Sequence, residues 1–417
     1  MSCISGKSEI NGFNTKLLHG RTSSGYGQRE ILPPVSQVSA FQYESMEELE
    51  KVFEHKSMGY AYTRIGNPTI SALEQKINEL EGGSQAVCTS SGMAAISATL
   101  LAVCGAGDEI IAGTGLYGGT IDLLHDLEKL GIHTVYAPNL TADGIRPLIN
   151  DRTRVIFGEV ISNPSLAVLD IEEVSGVAHE AGIPLIVDAT SATPYIVRPL
   201  SLGADIVIHS TSKYINGGGN SIGGIIIDGG KFGWDFDKFT ALAEFKKYGR
   251  MAFSIRLRTD LWEDFGGCMS PMNAYLTYIG ADTLGLRMER ICENADVLAR
   301  ALAELPGISV NYLTLPNHPY HRYVSSQLNG YGGGILTFGT GSRERAFQVI
   351  NSLKYAMIAS NIGDMRTLVI HPASTLYIRS TAEEREAAGV YDDTIRVSVG
   401  IENKEDLIAD FLSAISE

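Results

Sequence analysis

Residues 204–224 read ADIVIHSTSKYINGGGNSIGG, and the fold is decided on this stretch. Ile206, Val207 and Ile208 run without a polar break, the pattern of a strand covered on both faces. The strand opens into Ser210-Thr211-Ser212 and then Lys213, with five glycines in residues 217–224. An apolar strand that delivers a lysine to a hydroxyl-lined, glycine-rich opening suits a lysine that forms a Schiff base with a carbonyl group. On this stretch alone an ordinary exposed lysine is the simpler reading, so the rest of the chain has to decide.

Outward from this stretch, strands and helices alternate. Strands are expected at 86–89, 109–112, 133–137, 154–160, 185–188, 205–209 and 224–227, with helices at 94–103, 120–130 and 171–181. Such alternation implies a mostly parallel sheet with helices on both faces. Ligands bind such sheets beyond the carboxyl ends of the strands. The polar residues there are Ser90-Ser91-Gly92, Tyr117, Glu159 to Asn163, Asp188, and Ser210 to Lys213.

Upstream, residues 1–60 look irregular, with one short helical signal at 46–53. Phe13, Leu17, Leu18, Val35 and Phe41 suggest an arm that docks on the protein or on a partner subunit. Asn67-Pro68 starts a helix, Leu73, Ile77 and Leu80 repeat at helical spacing, and Gly82-Gly83 ends it. Downstream, 230–265 is aromatic and charged without a clear strand. Helix-rich 274–305, a strand at 333–338, a helix at 343–356 and a strand at 394–399 make a smaller α+β domain.

The 417 residues allow two or three domains, and 44% apolar content supplies ample core. A formal net charge of −15 argues against nucleic-acid or anionic-membrane partners. Cys3, Cys88, Cys104, Cys268 and Cys292 are odd in number and widely spaced, which supports neither a zinc site nor a disulfide framework. No apolar run approaches the ~18 residues of a membrane span, and no secretory signal is recognised. A cytoplasmic location and no bound metal are the expectations.

Three weak signals carry the chemistry. Ser90-Ser91-Gly92-Met93 stands between a strand and a helix, where free backbone N–H groups bind phosphate; a serine cap also explains it. Asp188 ends the run Leu185-Ile186-Val187. It could cap a helix, ligate a metal or pair with a cation, and no His or second carboxylate lies close in sequence to help bind a metal. A buried carboxylate of this kind would keep a pyridinium nitrogen protonated. Lys213 follows twenty-five residues later. Phosphate loop, aspartate, lysine is the order expected of a pyridoxal phosphate enzyme.

Here the chain resembles the Cys/Met-metabolism family of pyridoxal-phosphate-dependent enzymes. The matching segments run from about residue 14 to the C-terminus: YTRIGNPT, SSGMAA, LYGGT, SNPSLAVLDI, VDAT, HSTSKY, IHPAS and IRVSVG. The resemblance implies an α/β chain of the aspartate-aminotransferase-like, type I fold. Its expected divisions are an arm, 1–66, serving the neighbouring subunit's site; a large cofactor-binding domain, 67–265; and a C-terminal domain, 266–417. It implies that Lys213 holds pyridoxal 5'-phosphate and moves protons, Asp188 pairs with the ring nitrogen, Tyr117 stacks on the ring and Asn163 bonds the ring hydroxyl. Ser91, Gly92, Met93, Ser210 and Ser212 would bind the phosphate, and Tyr62 and Arg64 would reach the phosphate of the neighbouring subunit. Arg396 would hold the substrate carboxylate, supported by Ser374. His209 and His371 read as packed or hydrogen-bonded residues rather than catalysts.

Within the family the chain leans to the O-acetylhomoserine sulfhydrylase branch. Related γ-lyases usually carry cysteine where Gly119 stands, and 229–294 resembles the sulfhydrylase branch, though shortened between Phe236 and Ala252. Gly218 and Tyr377 depart from the family, which often has histidine at both places. The expected reaction is replacement at the γ-carbon of an O-acylhomoserine by sulfide or a thiol. γ-Elimination and cystathionine γ-synthesis are the alternatives, and a non-catalytic sulfur-carrier-binding paralogue is a remote one. A nicotinamide dehydrogenase is disfavoured, since no GxGxxG opens the first βα unit. The expected partners are an amino-acid substrate and a sulfur donor, which a carrier protein could deliver, and identical subunits in a homotetramer.

Overall fold

The structure is a computed structural model that describes residues 12–19, 31–54 and 56–416. Each expected strand of the first half is present: β1 (Gln85–Thr89), β2 (Glu109–Gly113), β3 (His133–Ala137), β4 (Thr153–Glu159), β5 (Leu185–Asp188), β6 (Ile206–His209) and β7 (Gly224–Asp228). They form one sheet in the order β1-β7-β6-β5-β4-β2-β3. Only β7 runs against its neighbours; the other pairings in the sheet are parallel. Every residue of β2, β6 and β7 is buried, which is why these strands read as unbroken apolar runs. A second, smaller sheet holds β8 (Ser309–Asn311), β9 (Ile335–Gly339), β10 (Met357–Ile358), β11 (Leu368–Ile370) and β12 (Thr394–Ser398), in the order β10-β11-β12-β9-β8. The chain is thus α/β, with a mostly parallel central sheet and a smaller α+β unit.

Helix starts follow their caps. Asn67 accepts from the Thr69 N–H at 2.9 Å ahead of Pro68–Glu81, and Gly82 closes that helix in the left-handed region at φ 74. Such a cap is worth ~1 kcal/mol. Ser91 accepts from the Ala94 N–H at 3.1 Å and starts Gly92–Val103 directly after β1. That helix is nearly apolar throughout because it packs between the sheet and the segment around 240–264.

Within 230–265 the chain is irregular to Phe239 and helical from Thr240 to Asp264. A 3₁₀ stretch, Thr240–Met251, breaks at Gly249 (φ 56) and leads into Ala252–Arg256 and a π-helical turn, Leu257–Asp264. The turn aims two side chains at β1. Trp262 Nε1 donates to the Cys88 carbonyl at 2.6 Å, and Arg258 donates to both oxygens of Glu74 at 3.1 and 3.0 Å and to the Ala86 carbonyl at 2.9 Å. The wider turn explains why no 3.6-residue period shows in the sequence.

The amino-terminal arm docks, as its apolar residues suggested, but it also holds a helix that the sequence pattern did not announce, Phe13–His19. Leu17 is buried and Phe13 packs edge-on against Tyr195, 5.1 Å between centroids, while Leu18 stays exposed. Further on, the Phe41 N–H donates to the Ala61 carbonyl and the Thr63 N–H to the Ser39 carbonyl, which pairs this arm with the segment carrying Tyr62. Cys3 lies outside the described residues. Among the described residues, no helix is long and apolar enough to cross a membrane.

Candidate active site

The carboxyl ends of β4, β5 and β6 open into a cavity of about 430 Å³. Ser91, Gly92, Met93, Tyr117, Asn163, Asp188, Ser210, Ser212, Lys213 and Arg396 all line it. Their positions follow from local structure. Asp188 is the last residue of β5, Ser210 to Lys213 leave β6, and Ser91 to Met93 turn from β1 into a helix. The first N–H groups of a helix have no partner within it, and Gly92 and Met93, which open this one, line the cavity. A Cβ at Gly92 would come within 2.7 Å of Ser210 Cβ, so only glycine lets these two walls meet.

Asp188 is half-buried at the end of β5, and desolvation there pushes its carboxyl above the ordinary range; bonds from Thr190 and the nearby His209 charge oppose the rise. His209 is fully buried against Glu81, 2.5 Å from Nε2 to Oε1, which makes it a packed partner. Lys213 is lowered from the usual amine range, first by burial and then by the Arg396 charge. Its Nζ donates to Asn361 Oδ1 at 2.5 Å. Arg396, on β12, is buried, and burial lowers it to about 10. Its Nη1 donates to Asn163 Oδ1 at 3.2 Å and its Nη2 to the Asn361 carbonyl at 2.9 Å, while its buried Nε has no partner among the described residues. A guanidinium that lines a cavity with donors to spare suits a carboxylate.

Tyr117 precedes the helix Gly118–Glu128, and its ring is 40% exposed at the cavity mouth. A Cβ at Gly119 would stand 2.6 Å from Tyr117 Cε1, so glycine at 119 is what lets the ring lie where it does. Tyr62 and Arg64 are not among the residues around this chain's cavity. Tyr62 is 43% exposed, the Arg64 guanidinium lies 5.6 Å from its ring, and Arg64 Nη1 donates to the Glu263 carbonyl at 2.5 Å.

Ser374 lies outside the cavity lining; its hydroxyl is engaged by His371 Nδ1 at 2.9 Å, and its N–H donates to the same ring nitrogen at 3.2 Å. The His371 Nε2 reaches the Asp392 carbonyl at 2.8 Å, so His371 is a structural residue. The two departures from the family also stay out of the cavity. Gly218 is bonded through its N–H to Asn216 Oδ1, and Tyr377 is buried beneath the neighbouring Leu376.

Two residues acquire importance only in three dimensions. Asn361 lies in an irregular segment with no motif around it, yet it touches both Lys213 and Arg396. Glu159 was visible only as a strand-end carboxylate. It accepts from the Tyr117 N–H at 2.7 Å and is pushed up to about 8 by burial and by the Asp188 charge.

These donors fit pyridoxal phosphate. A helix start and two serine hydroxyls offer an anion site, a partly desolvated carboxylate suits a ring nitrogen, and a lysine of lowered basicity suits a carbonyl. The family model of the Cys/Met metabolism PLP-dependent enzymes matches residues 14–416. The O-acetyl-L-homoserine sulfhydrylase of Corynebacterium glutamicum is 39% identical over 96% of this chain and 95% of its own length. The L-methionine gamma-lyase of Fusobacterium nucleatum is also 39% identical, over 96% of each chain. A Campylobacter jejuni crystal structure described as an O-acetylhomoserine (thiol)-lyase, with N'-pyridoxyl-lysine-5'-monophosphate in the chain, superposes with a TM-score of 0.92 at 33% identity, covering 97% of this chain and all of that one. A match this long, on a cavity with these donors, places the chain in the Cys/Met metabolism family of pyridoxal-phosphate-dependent enzymes.

Proposed function

We propose that the protein catalyses replacement at the γ-carbon of O-acetylhomoserine by sulfide or a small thiol, releasing acetate and giving homocysteine or its S-alkyl homologue. The observation that carries replacement over elimination is Gly119, whose missing side chain leaves the Tyr117 ring in place over the cavity. The γ-lyase relatives of the resemblance carry cysteine there, and a side chain at 119 would have to displace the ring.

Bound here, the cofactor supplies an electron sink for negative charge that develops on substrate carbons. Lys213 would link to it through Nζ and would take and return protons at that atom; desolvation lowers its basicity from the usual amine range, which suits an amine that must exchange protons. Arg396 grips the substrate carboxylate and so fixes which bond at the α-carbon stands perpendicular to the ring. Asp188 would hold the ring nitrogen, Asn163 the ring hydroxyl, and Ser91, Gly92, Met93, Ser210 and Ser212 the phosphate. The C–O bond to acetate breaks, the C–S bond forms, and the proton of the sulfur nucleophile leaves with the acetate.

Tyr62 and Arg64 stand apart from their own cavity, which supports the reading that the arm, 1–66, completes a neighbouring subunit's phosphate site. The proposed assembly is a homotetramer of dimers that share sites in this way, in the cytoplasm, with divisions at 67–265 and 266–417. The test is product analysis with O-acetylhomoserine and sulfide. Homocysteine and acetate are expected; 2-oxobutyrate and ammonia alone would replace this reading with a γ-lyase.

A further inference from the structure

One peptide unit at the cavity mouth, between Leu116 and Tyr117, is gripped at both polar ends. Its carbonyl lies 3.3 Å from the Tyr377 hydroxyl, which donates to it, and its N–H donates to Glu159 Oε1 at 2.7 Å. The same two side chains also reach Asn163. The Tyr377 hydroxyl is shared with the Asn163 carbonyl, again at 3.3 Å, and Glu159 accepts from the Asn163 N–H. Both braces are buried, Tyr377 at 1% and Glu159 at 7% exposure, so water does not compete for these bonds. Backbone contact supports them from the same side. A Cβ at Gly115 would lie 3.1 Å from the Ala387 carbonyl oxygen, and one at Gly118 3.5 Å from that of Leu376.

The brace matters because of where Tyr117 stands. It caps a helix without a side-chain bond of its own, at φ −50 and ψ 131, and its ring is partly exposed. Rotation of the 116–117 peptide swings that ring, and nothing in a sheet ladder resists the swing. Glu159 is anchored on a strand, paired in register with Asp188 on β5. Tyr377 comes from the other side, out of the segment that follows β11. The charged and titratable groups around Tyr377 are Glu159, Arg396 and Tyr117, and each belongs to the site itself.

We propose that Tyr377 and Glu159 are positioning residues: together they fix the Leu116–Tyr117 peptide and the Asn163 backbone, and so set the angle of the Tyr117 ring and the reach of the Asn163 amide. The inference rests on the reading of the site given above. It assigns Tyr377 a role that needs no contact with substrate or cofactor.

Tyr377→Phe removes only the hydroxyl, and Glu159→Gln keeps one acceptor but removes the acid. Each is prepared as holoenzyme, and the circular dichroism of the bound cofactor's visible band is recorded beside steady-state kinetics. That band reports the orientation of groups around the ring, which a purely structural role would leave alone. For Tyr377→Phe the expected result is a weakened or inverted band at full cofactor content. Turnover falls ~10-fold, as for a sub-ångström misplacement, with KM for the amino acid within ~2-fold because Arg396 is untouched. The double variant should lose less than the product of the single losses, since both act on one peptide. Wild-type dichroism and turnover in both single variants would overturn the proposal, as would a loss confined to cofactor content. If Tyr377→Phe does not fold, Glu159→Gln alone decides on the same readouts. If the wild type makes no homocysteine, the reaction assignment falls, while the dichroism still decides the brace.

Discussion

Two regions carry residues that bind charge, and they are held in opposite ways. Asp188, Ser210 and Lys213 hang from the ends of β5 and β6, inside a sheet whose backbone bonds are all internal. Tyr62 and Arg64 sit on the arm, outside the lining of their own chain's cavity, with Arg64 Nη1 donating to the Glu263 carbonyl at 2.5 Å. The first region lines one chain's cavity; the second lies outside it, with Tyr62 exposed and Arg64 half-buried against Glu263. On the proposal that the arm completes a neighbouring subunit's site, the two regions should fail differently.

The largest effect is expected on the strand side. Lys213→Ala should cut turnover by ~10³-fold or more and remove the cofactor's Schiff-base absorbance; retained turnover would break the whole assignment. Arg396→Leu should come next, raising KM for the amino acid by ~10²-fold while the cofactor spectrum is kept, because the substrate carboxylate has lost the guanidinium that would grip it. Arg64→Ala should cost about 10-fold in activity and weaken cofactor retention. Its sharper test is mixing. Unfolded and refolded together, Lys213→Ala and Arg64→Ala chains should recover up to roughly a quarter of wild-type activity, since a mixed pair rebuilds one intact site. No recovery would mean the arm serves its own chain.

The smallest effect is on stability. Glu159 stands at about 8 against an ordinary 4.5, so the folded chain holds this proton more tightly than the unfolded one. Its contribution is therefore whole below about pH 4.5 and is lost as the pH rises toward 8. Melting temperatures of wild type and Glu159→Gln should converge at acid pH, and the wild type should decline more steeply toward pH 8. Parallel curves would show that Glu159 stays ionised.

Most of the strand side was legible because it is local. An apolar run predicts a buried strand, a polar residue at its end predicts the mouth of a sheet, and Asn67-Pro68 or Ser91-Gly92 predicts a helix start; β1 to β7 appear where these signals put them. The sequence hid what depends on distance along the chain. Asn361 meets Lys213 across 148 positions and Tyr377 meets Leu116 across 261, and no periodicity encodes such pairs. Ser374 is the reverse case: its hydroxyl is engaged by a local neighbour, His371. The Phe13–His19 helix gave no period because only Leu17 on it is buried.

The strand that runs the wrong way has a mechanical consequence. Because β7 returns beside β6, the segment carrying Lys213 is closed at both ends on adjacent strands, paired from Ile206↔Asp228 to His209↔Ile225. It is then stitched across its neck, where Ser212 Oγ donates to the Gly223 carbonyl at 3.1 Å and accepts from the Gly223 N–H at 2.9 Å. A crossover loop would hang from a strand and a separate helix, which can slide past each other. This hairpin cannot be stretched that way, so the backbone that carries Lys213 is pinned to the large sheet from both sides, a fixed fiducial for the amine at its tip.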